Sequence, residues 1–242
     1  VTRRAAFFAP TLATLLGLTF TATGLSLPLA AAAAPTALGV DAARTRASTL
    51  LEALRLRNGR QLFDSLSEDV RRFTSLEAVQ RRIDQLPPFQ SASVLEVLSG
   101  VDDSTIKAEL VSPGQRRPLT LVIDPKGQLI AWRFDNAQLP IEQVARDFVS
   151  ELAAGQVVAA RSRLSLQMQE EMPPGTIQAR WQGLERLVGN FQEIKGTVVA
   201  HAGGDQQLVL VTTRFGRLTD NLFVIFDGKN RIIGIDFPID GR

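Results

Sequence analysis

Two stretches decide how this chain folds: Val122–Phe134, VIDPKGQLIAWRF, and Ile225–Phe237, IFDGKNRIIGIDF. They align without a gap, placing Asp124 on Asp227, Lys126 on Lys229, Ile130 on Ile233 and Phe134 on Phe237. Each reads as a strand, a four-residue turn and a second strand. In Asp-Pro-Lys-Gly, Pro125 presets φ at the second turn position, and Asp124 offers a side-chain acceptor to the turn N–H groups. Gly127 then takes the left-handed position of a type I turn with a G1 bulge. In Asp-Gly-Lys-Asn that position falls on Asn230, the next-best residue for it after glycine. Beyond the turns, Ile130, Trp132 and Phe134 alternate onto one face, as do Ile233, Ile235 and Phe237. The hairpin recurs because a domain recurs.

The sequence upstream of each hairpin supports the repeat. Ser93–Leu98, Thr105–Val111 and Leu119–Ile123 read as strands before the first hairpin, and Gly196–His201, Gln207–Phe215 and Asn221–Phe226 before the second. Turn-formers separate them, GVDDS and SPGQRR in one copy, AGGD and GRLTD in the other. Helical stripes precede both sheets. Leu50, Leu51 and Leu54 end near Asn58-Gly59, Leu62, Phe63, Leu66 and Val70 mark a second helix, and Leu76, Val79, Ile83 and Leu86 a third. That third helix opens on Thr74-Ser75-Leu76-Glu77, which resembles a capping box, and stops at Pro87-Pro88. In the second copy, Phe148, Val149 and Leu152 stop at Gly155, and Val157, Val158, Leu164 and Met168 follow. Pro173-Pro174 then opens a helix carrying Ile177, Trp181, Leu184 and Val188 on one face. The fold class is therefore α+β: two tandem domains, each of about three helices followed by a curved four-stranded antiparallel sheet. The boundaries fall at 44–135 and 141–239, joined through 136–140.

The first residues, VTRRAAFFAPTLATLLGLTFTATGLSLPLAAAAAP, have a different character. Arg3 and Arg4 form a basic start, Phe7–Leu29 an apolar stretch, and Ala30–Ala34 the small residues of a cleavage site. Residues 1–33 read as a Sec-type secretory signal peptide and 34–43 as a linker, so the mature chain is expected to be secreted or periplasmic, with no membrane span after cleavage. No Cys follows the apolar region to take a lipid anchor. Val1 in place of Met reads as the product of a GTG start codon, which points to a bacterial gene.

About 200 residues remain, enough for two domains of about 100 each. With no cysteine among 242 residues, an exported chain must be held by ordinary cores rather than disulfides. The sequence pI near 9.5 invites a nucleic-acid reading. That reading fails on inspection: without Arg3 and Arg4 the chain carries as many basic as acidic residues, 25 of each. The pairs Arg71-Arg72, Arg81-Arg82 and Arg116-Arg117 have acids interleaved and no aromatic stacking platform beside them. They read as solvated helix faces and turns, and no nucleic-acid partner is expected.

The chemistry that this sequence can hold is narrow. One His and no Cys leave His201, beside AGGD at a strand end, as the one residue for a catalytic dyad or a zinc ligand set; a solvated hairpin tip is the plainer reading. Asp102 and Asp103 lack the spaced oxygen ligands of a calcium loop and read as a polar turn. HAGGDQQ lies between strands, not before a helix, and so cradles no phosphate. Neither a cofactor nor a metal is expected. Asp236 and Glu109 are the nameable carboxylates that burial would turn into bases. However, Asp236 aligns with Arg133, a reversal that suits solvent-facing positions. Trp132, Phe134, Trp181 and Phe237, with Phe191, are the aromatic residues that would line an apolar pocket, although at these spacings aromatics more often fill a core.

The phrases ARDFVSELAAGQVVAA, PPGTIQARWQGLERLVGNFQEI, LVLVTTRF and LFVIFDGKNRIIGIDF resemble the bacterial family known as domain of unknown function 3887. The second copy is the closer match, and the first lacks the AAG turn and the Trp of the third helix. The resemblance implies a cone-shaped fold similar to nuclear transport factor two and a secreted accessory module. Such modules sometimes precede an α/β-hydrolase; here no G-x-S-x-G elbow exists. The expected function is a non-catalytic exported module that binds a protein, an envelope component or a small apolar ligand. The alternatives are a cone-fold isomerase, dehydratase or hydrolase accessory using a pocket carboxylate, and an architectural role in which the tandem copies form an internal pseudo-dimer.

Overall fold

A computed structural model describes residues 36–135, 139–201 and 205–237. The expected signal peptide and residues 136–138 of the expected joint lie outside these residues. Among them, the first module runs α1 (Val40–Arg55), α2 (Gly59–Ser65), α3 (Glu68–Arg71), α4 (Leu76–Asp84), β1 (Ser91–Ser99), β2 (Ser104–Ser112), β3 (Gln115–Ile123) and β4 (Leu129–Phe134). The second repeats the order as α5 (Ile141–Ala153), α6 (Val157–Arg161), α7 (Leu166–Glu171), α8 (Pro174–Val188), β5 (Phe191–His201), β6 (Gln206–Phe215), β7 (Thr219–Asp227) and β8 (Ile232–Asp236). The sheets are separate antiparallel meanders, ordered β1-β2-β3-β4 and β5-β6-β7-β8, and neither closes into a barrel. No helix of the described residues is long and apolar enough to cross a membrane.

The α+β arrangement matches the sequence expectation, with four helical segments per module where about three were expected. The expected second helix breaks because its middle residue pairs with the last strand: Leu66 bridges to Leu129 and Leu164 to Ile232. The Ser67 and Ser165 N–H groups donate to Leu129 O and Ile232 O at 3.0 and 2.8 Å. Each serine then caps the next helix, accepting from the Val70 and Met168 N–H groups. Two end signals also shift. Asn58 caps the start of α2, and the left-handed residue closing α1 is Arg57, at φ 56°. At α4 the capping hydroxyl is Ser75, which accepts from Ala78 N–H, not Thr74. The first helix already begins at Val40, within the stretch read as linker.

Both turns form as the sequence indicates. Gly127 and Asn230 have φ of 75° and 57°. Asp124 accepts from the Lys126 and Gln128 N–H groups, and Asp227 from those of Lys229 and Arg231. Burial would push the Asp227 carboxyl up, but these N–H groups and the Arg231 guanidinium outweigh it and hold its pKa below the ordinary value. A depressed carboxyl stabilises the fold above the ordinary aspartate pKa and loses that contribution as pH falls through the folded value. Wild type should therefore exceed Asp227→Asn in stability at neutral pH, with the gap closing below about pH 4. A gap unchanged through an acid titration of the melting temperature would refute this.

One alternation differs from expectation. Ala131 opposes Val122 and Leu129 opposes Ile123, so Ile130 is the extra residue of a β-bulge, as Ile233 is between Gly234 and Ile232. The bulge shifts the pattern by one residue. Leu129, not Ile130, joins Trp132 and Phe134 on the helix-facing side, and Ile232 replaces Ile233 beside Ile235 and Phe237.

The helices pack on those faces in two cores. Ala47, Leu50, Leu51 and Leu54 of α1 meet Ile106, Leu110, Leu119 and Leu121. In the second module, Val144, Phe148 and Leu152 of α5 with Ile177, Trp181 and Leu184 of α8 meet Val209, Val211, Val224 and Phe226. Val158 of α6 belongs to the first core.

Candidate functional site

The two cores fill differently. In α8 the eighth residue is Trp181, 5 % exposed, with its ring centroid 5.9 Å from Phe191 and 5.8 Å from Phe215. In α4 the eighth residue is Ile83. Register gives the same contrast in the sheet: Ser104 opposes Ile123 as Gln207 opposes Phe226, so Ser112 stands where Phe215 stands. Moreover, α8 continues to Val188, whereas α4 ends at Asp84 before Pro87-Pro88. Without the indole and the longer helix, the first module keeps a cavity of about 450 Å³. That volume lies in the range of ligand pockets.

Its floor is the helix-facing side of β3 and β4, where Trp132 opposes Leu121 and Phe134 opposes Leu119. The leucines of α1 and Val79 and Ile83 of α4 form one wall. The opposite wall comes from the second module: Ala154 and Gly155 after α5, and Val158 and Ala159 of α6. The AAG turn is thus part of the cavity. Gly155 has φ 69°, so the chain closes α5 there and turns directly into α6. The charged side chains on the wall, among the described residues, are Arg81 and Arg82.

Polar contacts hold the second module against the first. β4 is an edge strand. The Asp135 N–H bonds to Pro118 O, which puts Arg133 and Ala131 in the bonds facing β3 and turns the carbonyls of Ile130 and Trp132 outward. Arg161 donates to Ile130 O at 3.0 Å, and the Gln169 amide to Trp132 O at 2.9 Å. The rest of the Arg161 guanidinium caps α7, donating to Gln169 O and to Met172 O at 3.3 Å. Burial pulls Arg161 down to about 10, so it remains charged at neutral pH. Beside the cavity, Arg163 donates to both oxygens of Glu151 at 2.6 and 2.8 Å and lies 3.1 Å from Asp147. Burial opposes the Arg163 charge, but the two carboxylates outweigh it and raise its pKa above the ordinary value. Arg82 reaches the same Glu151 across the seam at 3.2 Å.

The residues singled out from sequence are divided by this geometry. Trp132 and Phe134 stand on the cavity wall, with the Arg117 guanidinium 5.8 Å from the Phe134 ring centre. Trp181 and Phe237 are instead packing residues of the second core, and Phe191 stacks on Trp181. Glu109 lies away from the cavity and pairs with Arg116 at 2.8 Å. Asp236 is exposed on β8 opposite Phe223, and His201 is exposed at the end of β5. Asp103 closes the β1–β2 turn by accepting from Gly100 N–H, and burial, Asp102 and Glu170 push its carboxyl up. No group of three or more His, Asp or Glu able to hold a metal occurs among the described residues. Sequence reasoning missed Arg161, Arg163, Glu151 and Gln169. The one signal for Glu151, Arg161 and Arg163 is charge set within the small and apolar run ELAAGQVVAARSRL, and Gln169, beyond it, has none.

Residues 145–235 match the family described as Protein of unknown function (DUF3887), so one module of that family runs from within α5 through most of β8. Comparisons with curated proteins and with solved structures returned no match.

Proposed function

We propose that this chain is a non-catalytic binding protein whose first module takes up a small apolar ligand between its helices and sheet, while the second module serves as wall and brace. The carrying observation is the cavity of about 450 Å³ where the second module has Trp181. A protein needing only architecture gains nothing from leaving that space open, since unfilled core costs stability in proportion to its volume. In this reading the first module is a diverged second copy of the matched family, both are cones of the nuclear-transport-factor-two type, and the pair acts after export. The enzyme alternative needs an Asp or Glu in the cavity to act as base. Asp236 and Glu109 both lie elsewhere, and the charged groups on the described wall are arginines.

The second module itself suggests the test. Ile83→Trp places in α4 the residue that α8 carries at the same position. Wild type should bind the neutral dye N-phenyl-1-naphthylamine with a blue shift and enhanced emission. Ile83→Trp should weaken binding at least about tenfold while melting no lower than wild type, because it adds apolar contact without removing a partner. Dye binding unchanged by the plug would place the dye elsewhere and sink the reading.

A further inference from the structure

Building on the binding reading above, we infer that the ligand is a single-chain amphiphile with an anionic head, its tail in the cavity and its head held by Arg82 and Arg81. A cavity of about 450 Å³ is about three times the space that takes up one benzene ring, so it accommodates an alkyl chain of about a dozen carbons. Most of the lining is apolar: the leucines, Ile83 and Phe134 offer such a tail no polar partner, and Trp132 adds a single indole N–H. The head is chosen by the rim. Arg81 is exposed and Arg82 half-buried, both in the last turn of α4. A cationic head would meet two like charges, and a neutral hydroxyl would gain only ordinary hydrogen bonds. An anion gains charge-assisted ones from a planar fork that fits carboxylate or phosphate oxygens.

Arg82 is free to take this part. It reaches Glu151 through one contact at 3.2 Å, while Arg163 donates to both oxygens of the same carboxylate. When Arg82 swings to a ligand head, Glu151 keeps its buried partner and no charge is orphaned. Glu77, one turn before Arg81, is exposed and held chiefly by its own backbone N–H and Ser75, with a weaker charge attraction to Arg81, so a ligand head competes only with a loose, solvated pairing.

The experiment is displacement of N-phenyl-1-naphthylamine from the full mature chain by dodecanoate, dodecyl phosphate, 1-dodecanol and dodecyltrimethylammonium, each below its micelle concentration. Dodecanoate and dodecyl phosphate should displace the dye about tenfold more tightly than 1-dodecanol, with the ammonium weakest. The two anions distinguish a fatty-acid source from a phosphate-monoester one. Arg81→Gln with Arg82→Gln should erase the anion preference and leave 1-dodecanol affinity unchanged, whereas Arg82→Lys should keep part of the preference. Equal affinity for dodecanoate and 1-dodecanol, or a preference surviving the double variant, would overturn this inference and leave the apolar-ligand reading standing. Failure of wild type to bind the dye at all would overturn both.

Discussion

Trp181→Ala should destabilise the second module by about 3–5 kcal/mol, the range for removing a large aromatic side chain from a core that cannot collapse onto the space. Three features keep that core from closing. Trp181 is one corner of a closed ring triad, since the Phe191 and Phe215 ring centres also lie 6.0 Å apart. Both phenylalanines are on paired strands, opposite each other in β5 and β6, so neither can move inward without breaking the register. Phe148, Phe226 and Phe237 are also fully buried and already packed. The chain provides its own reporter: it has two tryptophans, one per module, so the variant keeps Trp132 as sole indole. Urea unfolding followed by far-ultraviolet circular dichroism and by Trp132 emission should separate into two transitions, the second module melting first. A loss below about 1 kcal/mol would mean that the triad is loosely packed, and the contrast between a filled and an open core would collapse.

That contrast explains which parts of the molecule could be read in advance. Turn chemistry is local, so Asp124–Gly127 and Asp227–Asn230 were legible to the residue, and the strands followed from their alternation. The bulges at Ile130 and Ile233 were not, because either neighbouring isoleucine or leucine satisfies an alternating pattern and the partner strand decides which one faces in. The breaks between α2 and α3 and between α6 and α7 depend on bonds to strands far away in sequence. Trp132 and Trp181 carry the same side chain, each on an element with one apolar face, yet one lines a cavity and the other fills a core. The difference lies in Ile83, in the length of α4 and in a wall supplied by another module. None of these is visible from either tryptophan. The seam was illegible for a related reason: Glu151 lies in α5 and Arg163 in the turn after α6, and no period links them.

Glu151→Leu is the second substitution expected to have a large effect, about 3 kcal/mol or more, because removing one member of a buried ion pair strands the other. Arg163 is the group stranded. It is 8 % exposed, and among the described residues its guanidinium would keep the Asp147 contact at 3.1 Å. That remaining carboxylate argues for the lower end of the range. Arg82 loses a partner too, but it is half-exposed and hydrates, so it adds little. The informative variant is the double one, Glu151→Leu with Arg163→Met. Replacing a whole buried pair with apolar side chains of similar size is often neutral or stabilising, so the double variant should recover most of the loss. A coupling energy of at least about 1 kcal/mol between the two sites follows, measured as the departure from additivity in the cycle. Such coupling would show that the carboxylate acts through its guanidinium and not through its own packing. If Glu151→Leu alone were neutral, the seam beside the cavity would be hydrated rather than closed. The second module could not then serve as a fixed wall for whatever the first one holds.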